Sequence, residues 1–176
     1  MNNKVSTNTI EALLFGAGRP LRLSEIRSLL ENNGIIEDLA SIKQSINEIE
    51  DRYDGTSLEI KDVASGYRIQ IKKDFSGCLS HLWNENTPRI SKALMETISI
   101  IAYKQPVTRG DIEDIRGVSV NPQIIRNMIE FEWIKVVGHK ETPGKPELLA
   151  TTKKFLDYFN LKTLSDLPPP SELNTQ

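Results

Sequence analysis

Apolar residues recur along this chain with two periods, and the switch from one to the other happens twice in the same order. The cluster from Ile10 to Phe15 predicts a short helix that stops near Gly16 and Gly18, ahead of Pro20. Ile26, Leu29 and Leu30 then recur at helical spacing within 24–31, and Gly34 stands just past that helix, where a left-handed residue closes it. A third helix is predicted over about 38–53, with Leu39, Ile42, Ile46 and Ile49 on one stripe. The period next falls to two: Leu58 and Ile60, then Tyr67, Ile69 and Ile71 alternating with Arg68, Gln70 and Lys72. Ala64-Ser65-Gly66 between these runs predicts the turn of a hairpin.

After a connecting segment over about 74–89, with a short helix near 77–83, the order repeats. Ser91 is placed to cap a helix carrying Leu94, Ile98, Ile101 and Ala102, and Pro106 breaks it. Thr108 caps a second helix, with Ile112 and Ile115 expected inward, Asp111 in its first turn and Gly117 after it. A third helix is predicted over about 122–132, opening on Pro122 and carrying Ile124, Ile125, Met128, Ile129 and Phe131. Strands over 134–137 and 148–151 enclose a loop holding Pro143-Gly144, and a last helix over about 153–160 offers Phe155, Leu156 and Phe159 for packing.

The copies superpose without a gap at their starts. EALLFGAGRPLRLSEI (11–26) lies over TISIIAYKQPVTRGDI (97–112), so that Pro20 meets Pro106 and Ile26 meets Ile112. Three helices and a hairpin, with helices two and three forming a helix-turn-helix, make a winged helix. The predicted fold is α+β and mainly helical, with two tandem winged-helix domains. The expected divisions are 1–86, an N-terminal domain with the connecting segment; 87–163, a C-terminal domain; and 164–176, a flexible tail in which Pro168 to Pro170 end regular structure.

Composition narrows the functions. With 176 residues, 26% of them charged, and a net charge of -2, the chain has ordinary globular chemistry. A single cysteine, Cys78, excludes an intrachain disulfide framework and fits a reducing compartment. No signal peptide and no apolar run long enough to span a membrane is visible, so a cytoplasmic protein is expected. His81 and His139 lack metal-ligand spacing to each other or to Cys78. Gly16-Ala17-Gly18 lacks the later glycine and lysine of a phosphate loop and fits a helix end beside Pro20. Asp111, Glu113 and Asp114 fit first-turn stabilisation and a solvated face. Catalytic residues, metal ligands, cofactors and a small-molecule substrate are therefore all expected to be none.

A helix-turn-helix raises DNA as a ligand, and charge discriminates. From 37 to 54, Glu37, Asp38, Glu48, Glu50, Asp51 and Asp54 stand against Lys43 and Arg52, a combination that a duplex repels. The third helix of the second copy offers Arg126 with Gln123 and Asn127 against Glu130 and Glu132, and its wing adds His139, Lys140 and Lys145. One arginine is little for base readout and phosphate anchoring together. Protein surfaces are the better-fitting ligands, with Trp83, Trp133, Tyr103, Tyr53 and Tyr158 as candidate anchors. A DNA-binding transcriptional regulator is the alternative.

The stretch Glu96-Thr97 through Gln105-Pro106-Val107-Thr108-Arg109, followed by Ile112 and Ile115-Arg116-Gly117-Val118, resembles the segregation and condensation protein B (ScpB) family. EALLFGAGRPL, GYRIQIK (66–72), GHKETPGKPELLATT (138–152) and FLDYFNLKTLSDLP (155–168) resemble it in the same order, so the likeness covers about 8–168. Ser99 and Asn121 depart from the family's usual residues. The resemblance implies a non-enzymatic protein of two winged-helix domains, a homodimer formed mainly through the N-terminal domains. It implies binding to the central region of the kleisin ScpA and, through it, to an SMC ATPase in chromosome condensation and segregation during cell division. Direct DNA binding would be weak or absent and the protein nucleoid-associated through its complex in a bacterial cytoplasm. Tyr103, Lys104, Arg109 and Arg116 are the expected partner-surface residues. The alternative for Arg116 is an internal one, capping the carbonyls that end its helix.

Overall fold

The computed structural model describes residues 2–83 and 90–169; for 2–5 and 80–83 it describes the backbone alone. The chain divides into two compact units, Met1–Thr87 and Pro88–Gln176. The first contains α1 (Asn2–Ala17), α2 (Leu23–Asn32), α3 (Leu39–Arg52), the antiparallel strands β1 (Leu58–Val63) and β2 (Gly66–Ile71), and α4 (Ser76–Trp83). The second contains α5 (Lys92–Lys104), α6 (Arg109–Arg116), α7 (Pro122–Glu130), the antiparallel strands β3 (Ile134–His139) and β4 (Glu147–Thr151), and α8 (Lys153–Tyr158). Each unit is a winged helix.

The offset of 86 residues survives folding where it matters most. Both second helices begin at equivalent positions, 23 and 109, and the residue two before each start bridges the hairpin. Leu21 exchanges two backbone hydrogen bonds of 2.8 Å with Tyr67, and Val107 exchanges bonds of 3.1 and 2.7 Å with Leu149. These bridges pin each wing to the turn ahead of the helix-turn-helix. In the first unit the approach is so close that only glycine fits: a Cβ on Gly66, whose φ is 133°, would lie 2.2 Å from the Leu21 carbonyl oxygen.

Buried residues follow the predicted stripes. Ile10, Leu14, Leu21, Ile26, Leu30, Ile42, Ile46, Ile49 and Ile60 fill the first core. Leu94, Ile98, Ile101, Val107, Ile112, Met128, Trp133, Ile134, Leu149 and Phe155 are among those filling the second. Asp38 and Ser91 cap α3 and α5 through their side chains, accepting from the amides of Ser41 and Leu94.

Four expectations need correcting. α1 begins at Asn2, well before Ile10, because its first turns turn polar residues inward: Ser6 and Thr7 are buried, and Thr7 Oγ1 donates to Ser45 Oγ at 3.1 Å on α3. Polar inward residues give no apolar period. Leu39 is 40% exposed, so the α3 stripe starts at Ile42. Ile115 is 53% exposed. At 3.6 residues per turn, position 116 lies about 40° round from Ile112 and position 115 about 60° the other way, and Arg116 takes the inward place. Residues 164–168, expected to open the tail, are structured: Leu164–Asp166 form a 3-10 turn closed by a Thr163 and Asp166 capping box, and Leu167 packs on the second core. The rest of the tail beyond residue 169 lies outside the described residues.

Candidate functional site

The second unit's helix-turn-helix is held by the residues of the stretch 96–118. Thr97, fully buried, donates its hydroxyl to the Ala93 carbonyl one turn back at 2.7 Å. Gln105 extends past the end of α5 and its Oε1 accepts from the Thr151 amide at 2.7 Å, tying the helix end to β4. Thr108 and Asp111 form a capping box at the start of α6. The Thr108 hydroxyl accepts from the Asp111 amide, and Asp111 Oδ2 accepts from the Thr108 amide at 2.9 Å. Gly117, at φ 69°, closes the helix in the left-handed conformation.

The four expected partner residues fare differently. Arg109 donates from Nε to Glu113 at 3.0 Å and from an Nη to the Val120 carbonyl at 2.8 Å, while Glu113 accepts from the Val120 amide at 2.8 Å. That closed set anchors the loop between α6 and α7. The Val120 amide and Arg109 together hold the Glu113 carboxyl below the usual range. Arg116 is 9% exposed and donates to Glu96 on α5 at 2.9 Å. Its guanidinium therefore crosses to α5 and does not cap the carbonyls at the end of α6, and its Nε is buried without a partner. Tyr103 donates its hydroxyl to the Pro168 carbonyl, fastening 161–168 across α5. Lys104 is exposed.

Asp111 reaches a second element. Its Oδ1 accepts from Lys140 Nζ in the wing at 2.9 Å, so Lys140, a candidate phosphate contact, is already paired. Backbone bonding at Thr108, then Lys140 and the Thr108 hydroxyl, lower the Asp111 pKa to about 2.

Of the aromatic candidates, Trp133 is core at 3% exposed, packed by Phe131, Tyr158 and Phe159 at ring-centroid distances of 5.2, 4.6 and 5.3 Å. Tyr53 donates to Glu11 at 2.6 Å, and burial with that bond raises its pKa to about 12. Tyr158 remains 43% exposed. The side chains of Trp83 and His81 lie outside the described residues.

A groove that single elements do not announce lies between α7 and the wing. Ile125, Ile129, Pro146 and Leu149 line it, with Arg109, Arg126 and Glu147 as its charged members, and it encloses about 310 Å³. Ile129 is 43% exposed there. Residues 122, 125, 126 and 129 share one face of α7, which is why the groove runs along that helix. An apolar cavity of about 230 Å³ also lies beneath Leu167 and Pro168, against α5 and α8. Among the described residues no three His, Cys, Asp or Glu side chains group to hold a metal ion, and no helix is long and apolar enough to cross a membrane.

The geometry defines a protein of two winged-helix units whose second helix-turn-helix is braced from within. The model of the segregation and condensation complex subunit ScpB family matches residues 8–170, and the chain belongs to that family. It is 46% identical over 91% of its length to a segregation and condensation protein B homolog of Coxiella burnetii, covering 76% of that protein. To the segregation and condensation protein B of Moorella thermoacetica it is 39% identical over 91% of its length and 80% of the relative. To that of Bacillus mycoides it is 38% identical over the full chain and 92% of the relative.

Proposed function

We propose that the chain is a non-catalytic accessory subunit of an SMC-kleisin complex, a homodimer that binds the central region of the ScpA kleisin during chromosome condensation and segregation. Membership of the ScpB family across 8–170 is the observation that carries this reading. Charge and surface chemistry support it. The first unit exposes Phe15 (67%) and Ile36 (88%), large apolar side chains that a second copy can cover. The expected division of labour puts dimerisation in the first unit, 1–86, and partner contacts in the second, 87–163. Such a subunit works in the cytoplasm, on the nucleoid only through its complex.

Size-exclusion chromatography with light scattering tests it. The purified chain is expected to elute as a dimer and to shift into a stable complex when the central region of the kleisin is added. A monomer that never shifts sinks the reading.

A further inference from the structure

We infer that the groove between α7 and the wing of the second unit is the seat of an acidic, apolar stretch of the protein partner. One aliphatic or aromatic side chain enters between Ile125, Ile129 and Pro146, and a carboxylate meets Arg126. The inference rests on the kleisin reading and names where on this chain that partner is held.

Arg126 is the starting observation. Arg109 and Arg116 in the same unit are each committed to a carboxylate, at 3.0 and 2.9 Å. Arg126 is exposed, projects from the groove face of α7, and takes part in no ion pair or hydrogen bond among the described residues. A guanidinium of this kind is complementary to a carboxylate, which it can hold through two parallel bonds. Beside it Ile129 leaves 43% of its surface in water one helical turn further on. A free arginine next to an exposed apolar anchor is the composition in which interfaces concentrate their energy.

The groove's volume is at the lower end of ligand-sized clefts. It suits one or two side chains of an extended segment. Its walls are backbone-braced, by the Val107 and Leu149 bridge on the wing side and by the Arg109, Glu113 and Val120 set ahead of α7. A segment docking there finds a preformed surface and pays little to order it. The flanking charges select against nucleic acid: Glu130 stands one turn beyond Arg126 on α7, and Glu147 lines the groove itself. A phosphate backbone meets two carboxylates for each uncommitted cation here, whereas a peptide carboxylate can sit on Arg126 alone.

The full-length chain is titrated against a fluorescently labelled central kleisin segment, read by anisotropy, as wild type, Arg126→Glu, Ile129→Asp and Lys135→Glu. Lys135 is exposed on β3 and serves as the charge-reversal control. Arg126→Glu and Ile129→Asp are each expected to weaken binding at least about tenfold with an unchanged melting temperature, and Lys135→Glu to leave it within about twofold. Should Ile129→Asp lower the melting temperature, Arg126→Glu alone decides, since Arg126 has no structural partner to lose. Wild-type binding that both groove variants retain overturns the seat while the kleisin reading stands. Absence of wild-type binding overturns both. A labelled duplex bound by wild type and lost on Arg126→Glu, with kleisin binding intact, assigns this face to DNA and also overturns the proposal.

Discussion

Arg116 occupies the place that Leu30, fully buried, holds in the first unit, 86 residues earlier. The second unit thus puts a cation where its sibling puts a hydrocarbon, and satisfies it with one carboxylate, Glu96, that is itself 45% exposed. Removing the carboxylate leaves a buried charge without its counterion, whereas replacing the arginine by a hydrocarbon removes the charge with its desolvation cost. Glu96→Ala is expected to destabilise the second unit by about 1–3 kcal/mol, and Arg116→Leu to stay within about 1 kcal/mol of wild type or to gain stability. Hydrogen exchange of the α5 and α6 amides measures both. If Arg116→Leu costs as much as Glu96→Ala, the guanidinium is needed for more than this pair. Kleisin binding by Arg116→Leu then separates structure from partner contact, because a bracing residue can be replaced without loss of affinity.

The N-terminus of α6 shows how one element is coupled to another. Asp111 caps the helix through Thr108 and holds the wing through Lys140, and both partners favour its ionised form. Its folded pKa, about 2, lies below the unfolded value near 3.8. The stabilisation is therefore complete above the unfolded value and is lost as pH falls through the folded one. Urea midpoints of the second unit are expected to fall between about pH 4 and pH 2. Asp111→Asn should cost about 1 kcal/mol at neutral pH and flatten that acid limb; parallel profiles for the two proteins remove Asp111 as the cause. This cap was legible in sequence, as was that of Ser91, because a capping residue and its helix are neighbours along the chain. The hairpins were legible for the same reason. Long-range pairings were not. The wing tie crosses 29 residues and Arg116 meets Glu96 across 20, so apolar type alone assigned Ile115 inward and left the arginine for solvent. Tyr103 and Arg109 looked free until Pro168 and Val120 came to them. The groove was invisible because α7 and the wing make it together.

Across the whole chain, positive and negative charge are nearly balanced in both winged-helix units. The first unit, Met1–Thr87, carries ten Lys and Arg against thirteen Asp and Glu, and the second, Pro88–Gln176, twelve against eleven. Neither has the basic excess that phosphate binding requires. Folding then commits part of what is there: Arg19, Arg27, Arg52, Arg109, Arg116, Lys140 and Lys154 are each within ion-pair range of a carboxylate. Each such cation must give up its partner before it can displace a counterion from DNA, so its gain on binding is smaller than that of a free one. On α7, at the position that enters the groove of a duplex in DNA-reading winged helices, the uncommitted cation is Arg126. A single site of this kind neutralises one or two phosphates, and salt dependence reports that number. Titration of the full chain against a labelled duplex of about 20 base pairs, between about 50 and 200 mM salt, is expected to show no saturable binding at the upper end. Any association at the lower end should have a log-log salt slope no steeper than about -2. A slope near -6 or beyond, with binding that persists at 200 mM, would mean that these ion pairs open on contact and that DNA is a direct ligand of the fold.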